Sequence, residues 1–408
     1  MAGHEFFATL SVAEALTGFA PGRRTATELV PLEAALHRVP SMSVLASHPL
    51  PGFARSTVDG YAVRAADTYG ASDGLPSYLD VAGAVLMGVE PDLTVNPGSA
   101  VAMPTGGVLP PGADSVVMVE HTQLTMPGTI EVVRPVAPGE GVVRADEDVS
   151  PGSELVPAGR PLRPQDLGIL AAAGVTQVSV FARPRVAILS TGDEVVPADT
   201  PVLRRGQVRD ATSSALAGLV LEAGGLPDPR GIIADEPGAL DKAMRDALGD
   251  TDLLVVSAGS SVGARDETAG VVAGLGSPGI FCHGLAVRPG KPTLLAECAG
   301  VPVIGLPGNP LSALVVFRLV GMPLVRRVGG HAVGPTAPAV PARLTRQVAS
   351  AAGRLDVIQV RLDDGAATPL FGHSALLSIL TAADGYVVVP EAATGLDAGA
   401  DVTVTLYG

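Results

Sequence analysis

Hydrophobic and polar positions change rhythm several times along this chain. Near the start, Ser11 is placed to cap a helix running to Phe19, and Glu14 follows three residues on, as a capping box requires. Between Leu29 and Val39, the spacing of Leu32, Leu36 and Val39 predicts a second helix. From about Pro49 to Val143 the texture becomes β-like. Short runs, Leu79–Ala84, Ala100–Met103, Ser115–Glu120 and Thr129–Val133, alternate with turns such as Pro110-Pro111-Gly112 and Pro138-Gly139. Leu155 to Val180 returns to mixed character, with a predicted helix from Gln165 to Ala173 closed by Gly174.

Residues 185 to 328 repeat a different unit. Apolar runs of strand length, Val186–Leu189, Gly231–Ile233, Leu253–Val256 and Val303–Leu306, alternate with helical stretches at Ala215–Ala223, Glu267–Leu275 and Ser312–Val328. Pro237 sits where a first helical turn favours proline. Strands alternating with helices imply a doubly wound parallel sheet covered on both faces. Gly329 to Pro341, rich in Gly, Ala and Pro, reads as a linker. The tail alternates in Val357–Leu362, Gly385–Pro390 and Asp401–Leu406, which predicts a small β domain.

Composition narrows the function classes. The chain has 408 residues, enough for two to four domains, with 47% hydrophobic residues to form cores. A formal net charge of -14 argues against general nucleic-acid binding, which needs a basic footprint, but allows a local site for a small anion. Two cysteines, Cys282 and Cys298, are too few for a disulfide framework or a cysteine zinc site, and read as buried small hydrophobes. The seven histidines show no metal-ligand spacing. No apolar run approaches the length of a membrane span, and the N-terminus lacks a signal-peptide pattern, so a cytoplasmic location is expected.

Ligands of open α/β sheets bind beyond the carboxyl ends of the strands. In 185–328 those ends carry Ser190-Thr191-Gly192-Asp193-Glu194, Asp235-Glu236-Pro237, and Ser257 to Gly263 followed by Asp266. The last end carries Pro307-Gly308-Asn309-Pro310. Gly-rich turns at helix starts offer N–H groups to a phosphate or oxyanion. Carboxylates on three neighbouring loops suit Mg2+. Together they describe a site for a metal-bound phosphate ester or anhydride. Each piece has a plainer explanation: a Gly loop as a turn, an acid as a helix cap. There is no P-loop and no G-x-G-x-x-G. Ser56 to Ala62 places Asp59 in a turn, and Arg144 to Asp148 clusters three acids.

These residues carry a resemblance. The chain is similar to the molybdopterin molybdenumtransferases, the MoeA-type proteins and the E domain of gephyrin, over nearly its whole length. The markers are Pro49-Leu50-Pro51, the S-x-x-D-G-Y-A-V-R run at Ser56–Arg64, Pro104-Thr105-Gly106 and Asp146-Glu147-Asp148-Val149. They continue with Ser190–Glu194, Ser260–Gly263 with Asp266, and Arg288-Pro289-Gly290-Lys291-Pro292. Leu306–Pro310, Gly353-Arg354 and Gly385–Pro390 complete the set.

The resemblance implies a multi-domain α/β protein of four parts. These are a mixed discontinuous domain (1–50 and 142–181), an inserted β-rich domain (51–141), a MogA-like molybdopterin-binding domain (182–330) and a C-terminal small β domain (331–408). It implies a homodimer, with sites shared between subunits. It implies Mg2+, with molybdate and adenylylated molybdopterin as substrates, and release of AMP as molybdenum cofactor forms. The molybdopterin adenylyltransferase is the partner it suggests. Carried over by motif, Glu194, Asp235 and Asp266 are acids of the third domain, assigned to the metal, while Asp59, Thr105 and Asp148 come from across the dimer. Gly259, Ser260, Ser261, Gly263, Arg288, Lys291, Pro307, Gly308, Asn309 and Ser374 bind substrate. The chain departs from the family pattern at Ala258, Thr212, Gly284 and Gln359. A gephyrin-like dimeric scaffold is the alternative function; the retained acids favour the enzyme.

Overall fold

In the computed structural model residues 9–257, 262–332 and 337–407 are described, the side chains of 262–266 excepted. Its centre is a six-stranded sheet in the spatial order Leu226–Ile233, Arg185–Thr191, Leu253–Ser257, Val301–Leu306, Leu294–Cys298, Pro278–His283. The first four strands are parallel, in registers such as Val186↔Leu253 and Leu254↔Val303. Leu253–Ser257 is buried along its whole length, as expected of a strand covered on both faces. Helices Ala211–Glu222 and Pro310–Val328 cover one face, the latter interrupted by a π-helical turn at Phe317–Gly321. Helices Ala239–Leu248 and Val262–Ala273 cover the other.

The expected all-parallel sheet needs one correction. Leu294–Cys298 runs antiparallel to both neighbours. The cause is a two-residue hairpin, in which Ala299 (φ 50°) and Gly300 (φ 80°) are both left-handed, the conformation that joins antiparallel strands tightly.

The capped N-terminal helix forms as expected, Val12–Gly18, with both halves of the Ser11/Glu14 box in place. It delivers Val12, Ala15 and Phe19 to the core beneath the sheet. The second predicted helix does not form. Thr27–Pro31 is a strand paired with Gln177–Phe181, followed by a single 3-10 turn at Leu32–Ala34. Pro31 could not sit inside a helix, and the pairing buries Val30 with Val178. Arg55–Ser56 pairs with Val142–Val143, and Val44–Leu45 with Glu154–Val156, so segments flanking 60–132 are stitched together. Between them lies a second six-stranded sheet built on Gly60–Val63.

In the tail, five strands close into a barrel: Leu355–Asp363, Ala366–Pro369, Ala339–Leu344, Asp401–Leu406 and Gly385–Val389, which returns to Leu355–Asp363. The short strand Val287–Arg288 adds to it beside Leu355–Asp356, which joins barrel and α/β layer.

Candidate functional site

Three groups of the expected residues emerge. The first lies along the carboxyl edge of the central sheet. After Arg185–Thr191 the chain turns through Gly192 (φ 124°), a conformation that L side chains rarely adopt. The half-buried Glu194 carboxylate folds back over that glycine, 2.6 Å from where a Cβ would stand. On the neighbouring strand end, the Asp235 backbone N–H donates to Asp193 Oδ1 at 3.0 Å, which ties the two acidic loops together. Asp235 is exposed, and it does not cap a helix. The helix beyond begins at Ala239 with left-handed Gly238 as its N-cap, so Pro237 also lies outside the first turn.

Gly259, Ser260 and Ser261 lie outside the described residues. Gly263 and Asp266 fall in helix Val262–Ala273, Asp266 as its fifth residue, and their side chains are likewise outside the described set. Two further polar residues stand near this edge. Ser190 Oγ donates to Asp210 Oδ2 at 2.6 Å, and Asp210 Oδ1 caps helix Ala211–Glu222 by accepting the Ser213 N–H at 2.9 Å. Sequence reasoning passed over Asp210, although an Asp immediately before an apolar helix is a readable cap signal. Among the described residues, no group of three or more His, Cys, Asp or Glu side chains gathers as a metal site.

The second group surrounds a cavity of about 730 Å3 between the α/β layer and the barrel. Arg288, the last residue of strand Val287–Arg288, and Lys291, in the loop that follows, line it. Gly290 (φ 124°) lets that loop lie against helix Pro310–Val316, since a Cβ there would stand 2.2 Å from Val316 Cγ2. Ser374 lines the cavity from the barrel side. Its hydroxyl accepts from Asn309 Nδ2 at 3.1 Å, and its carbonyl accepts the Leu311 N–H at 3.2 Å. The turn Pro307-Gly308-Asn309, at the end of strand Val301–Leu306, is thereby fixed to the barrel. Sequence reasoning had Arg354 only as a family marker, not as a site residue, and missed Asp356. Arg354 lines the cavity and forms an ion pair with the fully buried Asp356 at 2.8 Å.

The third group belongs to the sheet around Gly60–Val63. Asp59 Oδ1 accepts both the Thr105 N–H (2.7 Å) and the Thr105 hydroxyl (2.9 Å), which hold its carboxyl below the usual carboxylate range. Asp148 stands exposed on a neighbouring turn, with its N–H on the Leu50 carbonyl at 3.1 Å. The hydrogen bonds therefore unite Asp59 with Thr105, and Asn309 with Ser374. They leave Asp148 on a turn of its own.

The first two groups share one sheet edge. Asp235, Glu194 and Asn309 follow three different strands of the parallel set. At roughly 4.8 Å per strand, the Asp235 and Asn309 ends are about 15 Å apart. A phosphorylated ligand of moderate size spans that distance. An edge with carboxylates at one end and cationic side chains at the other has the charge pattern to take an anion together with a cation.

Residues 10–174 match the MoeA N-terminal region (domain I and II), 187–327 a probable molybdopterin binding domain, and 341–407 the MoeA C-terminal region (domain IV). A molybdopterin molybdenumtransferase of Nostoc sp. is 38% identical over 311 residues, 76% of this chain and 71% of that protein. Molybdopterin molybdenumtransferase 2 of Mycobacterium tuberculosis is 33% identical over 382 residues, 92% of this chain and 94% of that one. A crystal structure of the molybdopterin biosynthesis MoeA protein from Pyrococcus horikoshii OT3 superposes with a TM-score of 0.86 at 29% identity. It covers 98% of this chain and 100% of that one.

Proposed function

This chain belongs to the molybdopterin molybdenumtransferase family, transferases of molybdenum-cofactor biosynthesis, and we propose that it inserts molybdenum from molybdate into adenylylated molybdopterin with release of AMP. The observation that carries the reading is the Asn309–Ser374 hydrogen bond. It fixes the end of a parallel strand to the wall of a cavity lined by Arg288 and Lys291, so the sheet edge and the cavity form one continuous surface.

Both substrates are anions, and bringing them together is electrostatically uphill. Arg288 and Lys291 offset part of that repulsion by direct contact. Pro307, Gly308 and Asn309, with Ser374, orient the ligand, and the motif carried by Gly259, Ser260, Ser261 and Gly263 assigns those residues to the substrate as well. The carboxylates fit a divalent cation. Glu194 and Asp235 offer hard oxygen donors on two loops tied by the Asp193 bond, and Mg2+ is commonly held by one or two carboxylates plus substrate phosphate and water. Asp266, on helix Val262–Ala273, is assigned to the same cation by its motif. When bound, Mg2+ supplies charge neutralisation at the phosphates.

Asp59, Thr105 and Asp148 lie on a different sheet, and we assign them to the site of the partner subunit in a homodimer. Purified chain incubated with adenylylated molybdopterin, molybdate and Mg2+ should yield molybdenum cofactor and AMP in equal amounts. AMP without cofactor, or neither product, would overturn the reading.

A further inference from the structure

A second cavity, of about 380 Å3, lies where the segment 182–184, which joins strands Gln177–Phe181 and Arg185–Thr191, meets the ends of helices Ala211–Glu222 and Met322–Val328. It shares no lining residue with the substrate cavity. Part of its lining is apolar. Phe181, Pro184 and Val325 contribute, and left-handed Gly330 (φ 83°) lets the chain pass close over the Phe181 ring, where a Cβ would stand 2.1 Å from Cδ2. The charged part is unbalanced. Arg38 is committed to Glu28 and to the Phe181 carbonyl, and Glu222 is held by both arms of Arg318 at 2.9 and 3.0 Å. Arg183 and Arg326 also line the cavity, and among the described residues neither side chain forms an ion pair or a hydrogen bond. Burial lowers the Arg326 guanidinium, with the Glu222 charge opposing it in part, so a desolvated cation stands there without a counter-ion of its own. Helix capping does not account for the two arginines. The last carbonyls of the first helix accept the Gly224 and Gly225 N–H groups, both at 2.9 Å, and those of the second accept the Gly329, Gly330 and His331 N–H groups at 2.9, 3.1 and 3.0 Å. Two helix ends contribute about half a negative charge each, so two free guanidiniums leave the cavity net positive in a chain whose net charge is -14.

We propose that this cavity binds an organic phosphate, with its phosphate on Arg183 and Arg326 and its apolar or aromatic body against Phe181 and Pro184. Planar guanidiniums match phosphate oxygens with paired N–H donors. The space favours an ester over the free ion: at about 30 Å3 per water the cavity has room for about a dozen waters, far more than one tetrahedral oxyanion displaces. A molecule bound there ties the segment entering the central sheet to the end of helix Met322–Val328, so occupancy stabilises the fold.

Isothermal titration calorimetry with phenyl phosphate and with inorganic phosphate tests this on the full chain carrying Arg288→Ala, which removes a competing guanidinium from the substrate cavity. Phenyl phosphate should bind about tenfold more tightly than inorganic phosphate and raise the melting temperature. Arg326→Met keeps the aliphatic stem and removes the charge, and it should raise the phenyl phosphate Kd about tenfold. Arg326→Lys keeps the charge but loses the fork, and should recover only part of that loss. Arg183→Gln, at an exposed position, should raise the Kd about fivefold and leave turnover of the otherwise wild-type chain unchanged. Melting without ligand shows which variants are folded; should Arg326→Met fail to fold, Arg183→Gln decides the matter. Absence of saturable phenyl phosphate binding overturns the proposal, as does a Kd unchanged within twofold in the folded variants. Equal Kd values for the two probes, both weakened by Arg326→Met, overturn its organic half and leave a site for free phosphate.

Discussion

Asparagine caps helices as well as aspartate does, so an Asp→Asn change isolates charge where capping is a rival explanation. At Asp235 that rival is gone, because Gly238 is the N-cap of the following helix; Asp266, fifth in its helix, is not a cap either. Asp235→Asn and Asp266→Asn should each raise the Mg2+ needed for half-maximal rate by about tenfold, with melting unchanged within a degree or two. Full activity in both at unaltered Mg2+ would remove the metal assignment. Arg288→Ala should raise KM for the anionic substrates, and the defect should shrink as salt screens the wild-type attraction; a KM ratio independent of ionic strength would argue against direct contact. The cysteines make the opposite case. Burial pushes the Cys282 thiol up to about 11 and raises Cys298 as well, so neither supplies a thiolate near neutrality. Replacing both with Ala should cost about 1–2 kcal/mol in packing and leave turnover intact, and lost turnover in a folded double variant would contradict this. At this scale the acids and basic loops were legible, because each sits in a short local motif. Asp356 was not, since its meaning comes from strand pairing with Arg288, a distant segment.

Among the elements, helix Pro164–Ala172 shows how local chemistry sets a boundary. Asp166 accepts the Arg163 N–H at 2.8 Å and pairs with the side chains of Arg160 and Arg163 at 2.9 and 3.0 Å. Burial alone would raise its carboxyl, but these bonds outweigh burial and hold it well below the ordinary value of 3.8. A depressed folded-state value means that the stabilisation is complete above the unfolded value. It is lost as pH falls below about 4. Asp166→Asn should therefore lower stability at pH 7 by about 2 kcal/mol. Its deficit against wild type should narrow in melts carried toward pH 2; a deficit constant with pH would refute the linkage. This helix and the central strands were readable, because capping and buried apolar runs are local signals. Thr27–Pro31 was misread, since three apolar residues at helical spacing say nothing of a strand partner about 150 residues away. The reversed strand Leu294–Cys298 was missed for a related reason: its only mark was an Ala-Gly turn between two apolar runs that periodicity alone does not orient.

Across the whole molecule, the candidate residues sit on bodies with separate cores. Asp59 and Thr105 belong to the sheet around Gly60–Val63, and Glu194 and Asp235 to the central α/β sheet. A homodimer with each site built from both chains accounts for that separation, and it makes a quantitative claim. Asp59→Ala disables the contribution that a chain makes to its partner's site, and Asp266→Ala disables the chain's own. In a mixed dimer the two lesions fall in one site together, and the other site is complete. Each parent variant alone should be nearly inactive. After subunit exchange of equal amounts, about half the dimers are mixed and each carries one intact site, so activity should return to about one quarter of wild type. The exchange itself is followed by mass-tagged chains, and the activity by cofactor formed per dimer. If exchange is complete and activity stays at the parental level, both residues act within one chain or outside the site, and the shared-site dimer is excluded.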